Sequence, residues 1–193
     1  MFMTYTLGGW NKTLCPGQDW ITTMMQSDER PVTIRLAREE DFDAIWAIFQ
    51  PIVAAGETYS FDADCTQEQA HRLWMEQPEA CFVALMDDKV VGTYYLKPNY
   101  AGNGHHVCNC GYMVAAEARR RGIAALMCRH SQQEARNRGY LAMQFNSVVS
   151  CNQDAVRLWQ SLGFEVVGRV PKAFKHPSLG YVDTLVMYRW FGQ

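Results

Sequence analysis

Three consecutive arginines followed by small residues form the segment most able to do chemistry. Arg119, Arg120 and Arg121 precede Gly122 and Ala124. A strand-like alternation ends before the arginines and helical spacing begins after them, so they lie in a loop that enters a helix. Helix N-termini carry unpaired N–H groups, and small residues let an anion approach them. The segment predicts a phosphate or pyrophosphate site; the alternative is a solvated basic turn.

A Rossmann dinucleotide site is disfavoured because the G-x-G-x-x-G pattern is absent. A second possible site groups His105, His106, Cys108 and Cys110. In a strand the two thiols would point the same way, but a structural zinc ion needs four ligands, usually from paired C-x2–4-C units. The sequence offers no second such pair, so we predict buried thiols and no metal.

These segments depend on elements that the apolar pattern predicts. Strand periodicity and helical spacing predict the order strand, two helices, three strands, helix, strand, helix and two strands, with Gly139 and Gly163 ending two of the helices. We read this order as a mixed α/β sheet with helices on its faces. The predicted strands span about 32–36, 81–86, 90–96, 107–114, 141–149, 164–170 and 181–190, and the predicted helices about 39–55, 66–77, 121–136 and 152–162.

Composition limits the class of protein. The chain has 193 residues, 48% of them hydrophobic, which predicts one globular domain. The net charge of −2 argues against nucleic acid as a partner. An odd count of seven cysteines, several in apolar runs, indicates free thiols in a reducing compartment, and we expect the cytoplasm. No apolar run reaches membrane-spanning length and no secretory signal is evident, so we expect no membrane association.

Residues 1–30 show no clear period and are interpreted as an N-terminal extension of unknown role before a domain over 31–193.

Two motifs together resemble one enzyme family. Arg119-x-x-Gly122-x-Ala124 after a strand resembles the [Q/R]-x-x-G-x-[G/A] pyrophosphate loop of the GNAT acetyltransferase superfamily, and 152–164 resembles its later N-x-x-A-x-x-L-Y-x-x-x-G-F helix. The resemblance covers about 32–190. It implies a GNAT fold, α/β (α+β), with a central mixed, mostly antiparallel sheet of six to seven strands and about four helices. It also implies an N-acetyltransferase that uses acetyl-CoA as co-substrate, and a homodimer.

Shorter segments are similar to particular groups within that superfamily. Residues 92–100, 106–111 and 145–146, with Asn152-Gln153, are similar to the fungal N-acetyltransferases that detoxify azetidine-2-carboxylate, a proline analogue. Gly56-Glu57-Thr58-Tyr59 is similar to phosphinothricin-type amino-acid acetyltransferases. This implies that the acceptor is the amine of a small amino acid or an analogue of one. A protein or peptide N-acetyltransferase and a non-catalytic acetyl-CoA sensor stay open as alternatives.

The resemblance also implies roles for individual residues. A backbone N–H near Tyr112 would polarise the thioester carbonyl. Asn109 and Asn146 would act on the acceptor. Asparagine is disfavoured in strands, so its presence at these two positions needs a reason, and a hydrogen bond to a local bulge is the alternative to an acceptor contact. Asn152 would contact the pantetheine arm, alone or while also capping its helix. The cofactor-binding set is Tyr112, Met113, Val114, Arg119, Arg120, Arg121, Gly122, Ile123, Ala124, Ala125 and Asn152, and the substrate-binding set is Glu57, Thr58, Tyr59, Asn109, Asn146 and His176.

The route of the proton is open. Trp159 stands where family members often carry a tyrosine acid, and an indole N–H is only a donor. Water, another group, or positioning of a free amine could replace that acid. Glu57 and His176 are the candidate bases.

Overall fold

The computed structural model describes residues 31–192, so the predicted extension over 1–30 lies outside the described residues. One seven-stranded sheet has the order β1-β2-β3-β4-β5-β7-β6. All neighbouring strands are antiparallel except the parallel pair β4 and β5. The predicted mixed, mostly antiparallel fold is confirmed. Its elements are β1 (Val32–Leu36), α1 (Phe42–Ala54), α2 (Gln67–His71), β2 (Ala80–Met86), β3 (Lys89–Pro98), β4 (Val107–Val114), α3 (Ile123–Asn137), β5 (Ala142–Val149), α4 (Gln153–Ser161), β6 (Glu165–His176) and β7 (Gly180–Trp190).

Helices cover both faces of the sheet. On β3 and β4, Thr93 and Tyr95 contact Trp74, which follows α2, whereas Tyr94 and Tyr112 reach α3. Alternate strand residues point to opposite faces, so α1 and α2 lie on one side, and α3 and α4 on the other.

The core contains a short chain of buried hydrogen bonds from Trp74 through Thr93 to the Phe82 carbonyl. Trp74 is fully buried and its indole N–H donates to the Thr93 hydroxyl at 2.9 Å, which in turn donates to the Phe82 carbonyl at 2.9 Å. Trp74 and Phe82 are both buried in the core. Trp46 is half-buried and stacks on Phe49.

Two connections show how local sequence decides the strands. Asp87 and Asp88 both have positive φ, as a two-residue type I′ hairpin turn requires, and the predicted β2–β3 hairpin is confirmed. The prediction that β6 ends near Val170 is wrong, because the strand continues to His176. A bulge after Val170, with Lys172 at φ 52°, interrupts the alternation that the prediction followed.

Candidate active site

A cleft opens where two parallel strands separate. β4 and β5 pair only at Val107–Ala142 and Cys108–Met143. β4 nevertheless stays paired with β3 as far as Val114. The cleft has a volume of about 1180 Å³ and is lined by both separating strands, by α1 and by the start of α4.

One edge of β4 directs backbone N–H groups into this cleft. The Ala115 N–H donates to the Val91 carbonyl and the Val107 carbonyl accepts from Asn99, so the odd-numbered residues of β4 bond to β3. Because alternate residues of a strand face opposite edges, Tyr112 and Val114 present their N–H groups to the side where β5 has separated. Met113, the residue between them in the predicted set, directs its N–H to β3.

The N-terminus of α3 borders the same cleft through the arginine loop. Gly122 caps the helix at φ 75° without a side-chain cap, and the first helical bond runs from the Leu126 N–H to the Gly122 carbonyl. The N–H groups of Ile123, Ala124 and Ala125 consequently have no acceptor among the described residues. These donors fit the predicted pyrophosphate.

The three arginines differ in their position around that terminus. All three are exposed, and Arg119 lines the cleft. Arg121 lies against the Met86 sulfur at 3.9 Å, and Arg120 has positive φ, which turns the chain toward the helix.

Asn152 also borders the cleft, at the start of α4. Its side-chain oxygen accepts from the Ala155 N–H at 3.2 Å, so it is an N-cap. The amide NH2 has no bond to another described residue. The cap and a ligand contact are therefore compatible.

Asn109 holds β4 and β5 together just beyond their last backbone pair. It is 6% exposed; its Nδ2 donates to the Gln144 carbonyl at 2.8 Å, and its Oδ1 accepts from the Tyr95 hydroxyl at 3.1 Å. The Gln144 carbonyl lies one residue past the Cys108–Met143 pair, where the separation begins. Both polar ends of Asn109 are engaged, and the side chain still lines the cleft.

Asn146 lies on the opposite wall, in a bulge of β5. The β5–β7 register shifts between Phe145 and Val148, which exposes Asn146. Gln144 Nε2 donates to Asn146 Oδ1 at 2.8 Å, and Asn146 Nδ2 donates to Asn99 Oδ1 at 2.7 Å. A row of hydrogen-bonded amides therefore runs from Gln144 through Asn146 to Asn99, and Asn146 is the member that lines the cleft. The buried Nδ2 of Asn99 has no partner among the described residues.

The tyrosine hydroxyls nearest the cleft are already bonded. Tyr59 donates to the Tyr112 carbonyl at 2.7 Å, which fixes the loop after α1 to the free edge of β4. The Tyr112 hydroxyl instead points to α3, where it is bonded to Ser131 at 2.7 Å. Burial raises the pKa of Tyr59 and of Tyr112 above the ordinary range of tyrosine, and burial also raises the pKa of the Cys110 thiol. These groups are neutral near pH 7.

The two candidate bases differ in their surroundings. His176 Nδ1 accepts from the backbone N–H groups of Ser178 and Leu179, each at 3.3 Å, so in the neutral imidazole the proton lies on Nε2. In that state His176 offers the cleft a donor. Glu57 is exposed at the cleft next to Thr58, with no ion pair among the described residues.

Trp159 forms part of the cleft wall. It is 9% exposed and packs on Tyr112 and Phe145, with ring centroids 5.1 and 5.2 Å away. At the position of the usual family acid, this chain therefore carries a packing side chain.

Lys97 was missed by the predicted site. It lines the cleft and lies directly opposite Asn109 in the β3–β4 register, so the two side chains share one face. It forms no ion pair with any described residue, and its ammonium lies 5.3 Å from the Tyr95 ring centroid. A lysine directly after the apolar and aromatic run Tyr94-Tyr95-Leu96 of β3 was the available signal.

The residues considered as metal ligands are dispersed. His105 stacks on Tyr140, His106 contacts Trp190, and Cys108 is buried. Across residues 31–192, no group of three or more His, Cys, Asp or Glu side chains is arranged to hold a metal ion. In the same range no helix has the length and apolar character needed to span a membrane. The six cysteines that the structure describes are free thiols.

Comparison with known proteins agrees with this geometry. N-acetyltransferase aca1 of Schizosaccharomyces pombe is 26% identical over 151 residues, which are 69% of this chain and 72% of that protein. A GCN5-related N-acetyltransferase from Kribbella flavida is 45% identical, with a TM-score of 0.79 over 82% of this chain and 97% of that one. The fold is also that of yncA from Salmonella typhimurium, solved with acetyl-CoA, at 21% identity and a TM-score of 0.72 over 84% of this chain and 95% of that one. The family described as Acetyltransferase (GNAT) family matches residues 36–164, more than half of the chain. The chain therefore belongs to the GNAT acetyltransferase family.

Proposed function

We propose that this protein transfers the acetyl group of acetyl-CoA to the amine of a small amino acid or amino-acid analogue. The observation that carries the proposal is the free edge of β4. Tyr112 and Val114 direct backbone N–H groups into a cleft that is also lined by Arg119, of the loop that leads to the open N-terminus of α3. One ligand with a thioester carbonyl at one end and a pyrophosphate at the other would satisfy both sets of donors.

The cofactor half of the cleft is assigned to the arginine loop. Backbone N–H groups of Gly122 through Ala125 would hold the pyrophosphate, with Arg119, Arg120 and Arg121 adding charge-assisted bonds. Asn152 would contact the pantetheine arm through its unengaged NH2. A backbone N–H of Tyr112 or Val114 would donate to the thioester oxygen as negative charge develops there.

The chemistry assigned to the site is mainly positioning. Burial raises the pKa of Tyr59 above its ordinary range, and its hydroxyl is bonded to the Tyr112 carbonyl, so it is a poor proton donor near neutral pH. Trp159 cannot replace a tyrosine acid. We therefore propose that the ammonium group loses a proton to Glu57 or to water, and that the free amine attacks the thioester carbonyl. As the C–N bond forms and the C–S bond breaks, the remaining N–H proton passes through water to the departing thiolate.

The acceptor half would recognise both ends of an amino acid. Among the described residues neither Lys97 nor Glu57 has an ion-pair partner, so Lys97 would offer a cation to a carboxylate and Glu57 a carboxylate to an ammonium group. Asn109 and Asn146 would line the acceptor, with Asn109 acting chiefly by holding β4 and β5 at their point of separation. Thr58, Tyr59 and His176 complete this wall, the last as a donor through Nε2.

Release of CoA from acetyl-CoA tests the proposal with azetidine-2-carboxylate, hydroxyproline, phosphinothricin and methionine sulfoximine as acceptors. Turnover of the cyclic imino acids would support the proline-analogue group, and turnover of only the last two the phosphinothricin group. A lack of turnover with all four, with acetyl-CoA binding intact, would contradict the proposed acceptor and favour a peptide acceptor or a sensor.

The same assay examines Lys97. Lys97→Met should lower kcat/KM for an amino acid about tenfold or more, and leave the corresponding amino-acid amide unaffected, because the amide carries no carboxylate charge. Lys89→Met is the matched control, since Lys89 is exposed on the same strand outside the cleft. Equal losses of kcat/KM with the amino acid and with its amide would show that Lys97 does not recognise the carboxylate.

A further inference from the structure

A second depression, which we call the arginine pocket, gathers three guanidinium groups. Arg129 and Arg136 of α3 and Arg189 of β7 line it together with the end of α4, residues 161–163. Its volume is about 450 Å³, and it shares no lining residue with the acetyl-CoA cleft.

None of these three arginines forms an ion pair with a carboxylate of the described chain. Other arginines do: Arg138, also at the end of α3, pairs with Glu79 at 2.9 Å and with Glu134 at 3.7 Å. On the helix, the positions three and four residues from Arg129 and Arg136 carry no acidic side chain. Three positive charges thus converge in a protein of net charge −2 without internal compensation.

Two of the guanidinium groups are held in place by contacts that leave most of their N–H donors free. Arg189 donates one Nη1 hydrogen to the Leu162 carbonyl and lies across Gly163, where a Cβ would come within 2.9 Å of Cζ. Arg136 lies over the Phe191 ring, with Cζ 4.5 Å from the centroid. Capping of the α4 C-terminus explains Arg189 alone. It does not explain why Arg129 and Arg136 face the same depression.

The arginine pocket lies away from the proposed site of acetyl transfer. α3 and α4 both begin beside the cleft, at Gly122 and Asn152, whereas the pocket uses the second half of α3 and the last turn of α4. A planar guanidinium presents paired donors that match the oxygens of a phosphate group. We propose that the arginine pocket is a second, phosphate-binding site, separate from the acetyl-CoA cleft.

Titration calorimetry with inorganic phosphate tests this inference on the full chain. The protein is first saturated with CoA, so that the α3 N-terminus is occupied, and sodium chloride keeps the ionic strength constant. We expect saturable binding at one site. Arg129→Gln with Arg136→Gln should weaken it at least tenfold, whereas the control Arg72→Gln with Arg157→Gln, which also removes two exposed arginines, should leave it unchanged.

A phosphate monoester, phenyl phosphate, is titrated in parallel. Tighter binding of the ester would identify an organic phosphate as the ligand, and tighter or equal binding of inorganic phosphate would identify the free ion; both support the site. Absence of saturable binding to the CoA-saturated protein would overturn the proposal. So would equal affinity in the Arg129→Gln, Arg136→Gln variant, provided that its thermal unfolding matches that of the wild type. These results do not depend on turnover, so they leave the proposed acetyl transfer untouched.

Discussion

The two edges of β4 differ in one respect, and the proposed chemistry follows from it. Along the β3 edge every alternate residue exchanges backbone hydrogen bonds, from Val107 to Ala115. Along the β5 edge the pairing stops after Cys108. A paired edge stabilises the sheet and leaves no backbone donor for a ligand. A separated edge leaves backbone N–H groups free to donate to an acceptor on the substrate. The same strand is therefore paired along one edge and, in the proposed function, a binding surface along the other.

Asn109→Ala should have the largest effect, because it acts where the separated edge begins. It leaves the Gln144 carbonyl and the Tyr95 hydroxyl without their partner, at a cost of about 1–3 kcal/mol for each group that stays buried. We expect kcat/KM for the acceptor to fall by up to ~100-fold, since every 1.4 kcal/mol is about tenfold. The Kd of acetyl-CoA, measured by calorimetry, should change little. Full activity in this variant would show that Asn109 has no role in acetyl transfer.

Thr93→Val makes the corresponding change on the paired side of the sheet. Valine has nearly the same volume but leaves the Trp74 N–H without an acceptor in the core, whereas the Phe82 carbonyl keeps its backbone pairing with β3. The free energy of unfolding should fall by about 2 kcal/mol in urea denaturation. The kcat/KM of the folded enzyme should stay within about twofold. If Thr93→Val reduced turnover as much as Asn109→Ala, the distinction between the two edges would not hold.

Gly122→Val examines the N-terminus of α3. At φ 75° a side chain costs ~1–2 kcal/mol, and relief of that strain would move the N–H donors away from the pyrophosphate. The KM for acetyl-CoA should rise about tenfold.

Gly139→Val is the matched control for this change. Gly139 has φ 84° at the other end of α3, and a Cβ at either glycine meets nothing within 4 Å. Both variants should lose similar stability in thermal unfolding. An equal rise in the acetyl-CoA KM for both would contradict the assignment of the loop.

Tyr59→Phe should have the smallest effect. It removes only the bond to the Tyr112 carbonyl, worth about 1 kcal/mol, so kcat should fall about fivefold. The pH profile of kcat should not change, because burial keeps the pKa of Tyr59 above the range in which the enzyme is assayed. Disappearance of the fall in kcat at high pH in this variant would instead identify Tyr59 as the acid.

Sequence predicted the parts of the site that depend on neighbouring residues. The arginine loop at the start of a helix and the Asn152 N-cap each follow from a few consecutive residues, and Arg119 and Asn152 both line the cleft. The mixed, mostly antiparallel sheet of the GNAT fold followed from the resemblance that two such motifs carry.

The remaining features depend on contacts between distant segments. Lys97 meets the site only through its register with Asn109, and Asn109 bridges two strands 35 residues apart in sequence. The bulge that exposes Asn146 is set by the pairing of β5 with β7. None of these contacts leaves a periodic signal in one segment of the chain.

The most direct test of the separated edge compares acetyl-CoA with CoA by amide NMR. The two ligands share the pyrophosphate and the pantetheine arm, and only acetyl-CoA carries the thioester carbonyl. We predict that both shift the amides of Ile123 to Ala125 equally, and that acetyl-CoA alone shifts Tyr112 or Val114 strongly. Identical shifts of Tyr112 and Val114 with the two ligands would show that the free edge of β4 does not contact the acetyl group, and would contradict the account.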